Sequence, residues 1–138
     1  MLNIDEKKVV IFSPEKSNLN KQTNNLRNKQ IKQIMNKNDI EFKKAIGSYR
    51  GNLENSYIVD VINFMKPIGG KLFKDLIFEE YQQDSVVVVD NDNTGKLVYP
   101  DNSQDKLGKL KRKSIVQCLN QDIKAFTIIG DKGAIVFE

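Results

Sequence analysis

Histidine is absent from the 138 residues, and cysteine occurs once, at Cys118. The first absence removes the usual general base, the commonest metal ligand and every Ser-His or Cys-His catalytic arrangement. The second leaves no intramolecular disulfide and no thiolate metal cluster. Apolar runs are too short to span a bilayer, and no charged-then-apolar leader with a small-residue cleavage site opens the chain. A soluble cytoplasmic protein with no membrane partner is therefore expected. Glycine-rich phosphate loops and activated nucleophiles are missing as well, and neither a cofactor nor a metal is expected.

What is present is globular in balance, with 39% hydrophobic and 29% charged residues. The length suits one domain over 1–138, with residues 1–6 and a loop at 101–113 as its expected mobile parts. The net charge is +4. Basic residues gather at Lys106, Lys109, Lys111, Arg112 and Lys113 with no acid among them. Such a run reads as a solvated loop or as an anion or nucleic-acid surface, and without an interleaved aromatic it offers no platform for base stacking.

The pattern of elements begins with a β-branched strand from Lys7 to Phe12, stopped by Pro14. A helix follows from Ser17 or Asn18 to Lys37. Its apolar arc carries Leu19, Leu26, Ile31, Ile34 and Met35, with Arg27 near the middle and Asn24 at the edge. From Ala45 to Val61 the chain reads as strand, polar turn and strand, and Lys71 to Gln83 as a second helix with Glu80 inside its apolar face. Val86 to Val89 and Lys96 to Tyr99 form a hairpin around an Asp/Asn/Gly turn. Asp90, Asp92, Thr94, Gly95 and Asp101 of that stretch also match part of a calcium loop, but strands flank it and Asp stands at the twelfth position, which favours a turn. Ser114 and Gln117 form a capping box for a short helix, and Ala125 to Phe137 closes as a hairpin through Asp131, Lys132 and Gly133. The expected class is α+β: a mostly antiparallel sheet with two to three helices packed on it.

The stretch from Ala45 to Val61 carries the candidate chemistry. Gly47 and Gly51 bracket Tyr49 and Arg50 just ahead of Glu54, as at a site built on a strand mouth. An inward arginine on the first helix needs a carboxylate partner, so Arg27 is expected to meet Glu54, or else Glu80.

The order Asn24 and Arg27 on a helix, Gly47-x-Tyr49-x-Gly51, Glu54-x-Ser56-Tyr57-x-Val59, then Gln83 before a valine strand, resembles a domain of unknown function found in small bacterial and phage proteins. The resemblance runs from about residue 9 to 137 and implies Arg27, Glu54 and Gln83 as its polar marks. It suggests a phage accessory or counter-defence protein working in the host cytoplasm. With the turn, the expected ligand-binding set is Asn24, Arg27, Tyr49, Arg50, Glu54, Ser56 and Gln83, and Lys109, Lys111, Arg112 and Lys113 form the candidate anion surface. No catalytic residue is assigned. The favoured function is a binding protein for a phosphate-bearing, nucleotide-like ligand or a host protein. The alternatives are a small enzyme using a Glu/Arg pair for acid-base chemistry and a nucleic-acid-binding protein.

Overall fold

The computed structural model describes residues 8–130 and 133–138. Strand β1 (Val9–Phe12) is buried at every position, because it carries apolar side chains on both faces. Val9 and Ile11 point into one core and Val10 and Phe12 into another. A strand of that kind belongs in the middle of a sheet, and β1 accordingly pairs antiparallel with β3 (Asn52–Asp60) on one side and β6 (Val86–Val89) on the other.

Those two pairings close the sheet. Adding β2 (Lys43–Tyr49), β7 (Thr94–Val98), β8 (Gln104–Lys113), β9 (Ala125–Ile129) and β10 (Gly133–Phe137), the described residues form an eight-stranded barrel in the order β1-β3-β2-β9-β10-β8-β7-β6. This corrects the expected sheet with helices packed on it. The physical reason is β1, which supplies partners for two strands that would otherwise be free edges.

The barrel interior holds Val9, Ile11, Ala45, Ile58, Val89 and Ile135. A second core lies outside the wall, where Val10, Phe12, Tyr57 and Val59 meet Ile31 and Met35 of helix α1 (Lys21–Lys37) and Phe64 of the short helix α2 (Val61–Phe64). Phe73 completes it, edge-on to Phe12 with ring centroids 5.6 Å apart. The buried face of α1 runs through Asn24, Asn28, Ile31 and Met35, so it is rotated toward one edge of the predicted arc: Ile31 and Met35 are buried as expected, whereas Leu26 is 63% exposed. Asn20, rather than Ser17 or Asn18, caps the helix by accepting from the Thr23 amide.

The expected helix from Lys71 to Gln83 is broken up. Strands β4 (Pro67–Ile68) and β5 (Lys71–Leu72) pair around Gly69 and Gly70, both at positive φ, and helix α3 (Phe73–Asp75) then widens into a π-helical turn over Leu76–Glu80. The segment expected as a loop at 101–113 contains β8, the longest strand of the barrel. Helix α4 (Ile115–Asn120) has the predicted Ser114–Gln117 capping box. Residues 1–6, Lys7 at the expected start of β1, and Asp131 and Lys132 of the closing turn lie outside the described residues. Among the described residues no helix is long and apolar enough to cross a membrane.

Candidate functional site

Three of the residues singled out from sequence share one task. Arg27 donates from Nε to the Pro14 carbonyl (2.7 Å) and from Nη2 to the Tyr81 carbonyl, and its guanidinium lies 4.9 Å from the centre of the Tyr81 ring. Gln83 donates to the Glu15 carbonyl (3.0 Å). Asn24 takes both backbone groups of Lys16, accepting from its amide and donating to its carbonyl, each at 3.0 Å. Each of the consecutive residues 14, 15 and 16 is thus held by a different side chain. The partners of Arg27 are carbonyls and an aromatic face rather than Glu54 or Glu80, and Glu80 is exposed. The π-helical turn contributes by placing the Tyr81 carbonyl within reach of both Arg27 and Gln83.

The product of this clamp is the position of Glu15, which the sequence did not single out. Its Oε2 accepts from Asn28 Nδ2 (2.8 Å), the Asn55 amide (3.0 Å) and Asn55 Nδ2 (2.8 Å). Asn28 in turn accepts from the Tyr57 hydroxyl at 2.9 Å. Burial, and then the Glu15 charge, pushes the Tyr57 pKa up to about 12. The available signal was the spacing of Asn24 and Asn28, four apart on a helix whose buried stripe they begin.

Glu54 stands on the other side of the same strand. Side chains alternate along β3, so Glu54 and Ser56 share the inner face with Ile58 and sit at the barrel mouth. Glu54 pairs with Gly47 of β2, and the missing side chain there matters: a Cβ on residue 47 would lie 3.2 Å from Ser56 Oγ and 3.4 Å from Glu54 Cγ. Much of Glu54 faces solvent, yet crowding by the protein, and secondarily the charge of Glu15, holds its pKa above the ordinary 4.5. The mouth is therefore open on one side and walled on the other. Tyr49 lies further along, exposed, with the Arg50 guanidinium 5.4 Å from its ring centre. Arg50 and Gly51 make the tight turn, with φ of 51° and 85°.

A cavity of about 310 Å³ opens between α1 and the β2–β3 hairpin. Asn25, Asn28 and Lys32 line it from the helix, and Lys44, Asn55 and Ser56 from the strands. A second, of about 350 Å³, lies beside the turn between Arg50, Leu119 and Phe126, with buried Cys118 in its wall.

The basic run is divided by the strand it belongs to. Leu110 packs inside the barrel, so Arg112 shares the inner face while Lys109, Lys111 and Lys113 occupy the outer one. Lys109 donates to the Asp92 carbonyl (3.2 Å), and Lys113 pairs with Glu138 (3.1 Å). The Asp-rich turn is likewise engaged locally: Asp90 pairs with Lys8 and Lys96, Asp92 accepts from the Thr94 amide, and Asp101 accepts from Ser103. Among the described residues no group of three or more cysteine and carboxylate side chains gathers as a metal site.

Compared with known protein families, residues 10–137 match the S-adenosylmethionine lyase family. No curated protein matches the chain.

Proposed function

This chain belongs to the S-adenosylmethionine lyase family, and from that premise we propose that it breaks a carbon–sulfur bond of S-adenosylmethionine without water, in the cytoplasm. Family membership overturns the binding-protein reading favoured by sequence alone, and it sides with the enzyme alternative. The phosphate-bearing ligand goes with it, since this substrate carries an adenosyl group and a sulfonium but no phosphate. Removal of a methyl donor from the cell would suit a phage accessory or counter-defence role.

The chemistry asks little of the protein. A sulfonium leaves as a neutral thioether, and the carbon it leaves has two balanced fates. The substrate's own carboxylate oxygen can bond to that carbon as the carbon–sulfur bond breaks, closing a ring with no proton transferred. Alternatively, a base takes a proton from the neighbouring carbon, and its electron pair forms a double bond as the thioether departs. Neither route requires histidine, a metal or an oxidant. A carboxylate at the site is suited to both, because it attracts the sulfonium and can accept a proton.

The observation that carries the assignment to Glu54 is its carboxyl group at the barrel mouth, packed over Gly47 and held above its ordinary pKa. Arg27 has no direct part, being committed to the clamp. The test is to incubate the protein with S-adenosylmethionine and separate the products. A thioether nucleoside together with a lactone or an unsaturated amino acid is expected. Glu54→Gln should lower kcat/KM by about a hundredfold or more while the circular dichroism stays native. Unchanged S-adenosylmethionine in the wild-type reaction would overturn the reading.

A further inference from the structure

We propose that the cavity between α1 and the β2–β3 hairpin is the subsite for the α-amino-acid end of the substrate, with Lys32 and Lys44 taking its carboxylate and Glu15 its ammonium. The inference rests on the lyase reading above and adds to it the place and orientation of the substrate.

The first observation is a pair of cationic side chains at one cavity. Lys32 comes from the helix and Lys44 from the facing strand, and both line the cavity. Neither has a hydrogen-bond or ion-pair partner among the described residues. Two lysines that line one concave space, neither paired with a protein carboxylate, suit a ligand carboxylate.

The second is an acid fixed at the same wall. Three N–H donors converge on Glu15 Oε2, one from Asn28 and two from Asn55, and both residues line the cavity. That arrangement immobilises the carboxylate. Its other oxygen takes no hydrogen bond from a described residue, which leaves it available to an ammonium. The clamp on residues 14–16 supplies the rigidity that a specific contact needs.

The third is continuity with the mouth. Ser56 lines the cavity and also packs, with Glu54, over Gly47. An amino-acid end seated between the lysines and Glu15 therefore lies beside the strand that carries Glu54 on its other face. The alternation of charge in the protein, basic, acidic, acidic, complements carboxylate, ammonium and sulfonium in the substrate.

Calorimetric titration with S-adenosylhomocysteine tests this without turnover, because its sulfur is already a neutral thioether. Its decarboxylated analogue is the control. Wild type should bind the analogue about tenfold more weakly, as expected for loss of one charge-assisted contact. The double variant Lys32→Met/Lys44→Met should lose about tenfold or more for S-adenosylhomocysteine and bind both ligands alike, whereas Lys32→Arg/Lys44→Arg, which keeps the charge, should retain the preference. A carboxylate preference that survives the methionine changes, or an unchanged KM for S-adenosylmethionine in that variant, overturns the subsite while leaving the lyase reading standing. Failure of wild type both to bind S-adenosylhomocysteine and to consume S-adenosylmethionine would bring down the lyase reading itself.

Discussion

Tyr57 and Glu54 respond to the same neighbour, Glu15, from opposite faces of β3. For Tyr57 the folded pKa lies near 12 against an ordinary 10.0, so its contribution to stability is complete below the ordinary value and is lost as pH rises through the folded one. Spectrophotometric titration should show a tyrosine ionising near pH 12, and Glu15→Gln should move it downward. Glu54 follows the same sign, with the stability it contributes intact below 4.5 and declining as pH rises through its elevated pKa. The melting temperature of Glu54→Gln should therefore match wild type in acid and exceed it toward neutral pH; a gap that closes with rising pH would contradict this. Arg27→Met should be destabilising, because it strips donors from two carbonyls. Its effect should add to that of Glu54→Gln, since the two side chains have separate partners. A large coupling energy would return Arg27 to the side of Glu54.

The β6–β7 hairpin and the cap of α4 were legible in the sequence because each is specified by adjacent residues. β6 and β7 follow from a valine run and an Asp/Asn/Gly turn, and α4 from Ser114 and Gln117. β8 was not legible. Its lysines read as a solvated loop, and only Leu110 on the inner face betrays the alternation of a strand. The candidate site divides in the same way. Glu54 was marked by the glycines around it, whereas Glu15 acquires its partners from residues 28 and 55, a pairing no local pattern encodes. Close packing between β7 and β10 gives a further prediction. A Cβ on Gly95 would fall 2.3 Å from the Phe137 ring, so Gly95→Ala should cost about 1–3 kcal/mol in chemical denaturation. Phe137→Leu in the same chain should recover part of that loss.

At the scale of the whole molecule, closure depends on β1 lying between β3 and β6. A version beginning at residue 14 would leave β3 and β6 with open edges, and it should run as aggregates in size-exclusion chromatography where the full chain does not. Recovery of a native, monodisperse barrel without β1 would show that β3 and β6 can meet directly. The pairings also fix an order of events. As the chain is synthesised, β1 emerges first, but its partners arrive only with residues 52–60 and 86–89, and β2 must wait for β9 at 125–129. Nascent β1 is thus a four-residue apolar segment that stays without a complete sheet until residue 89 has been made.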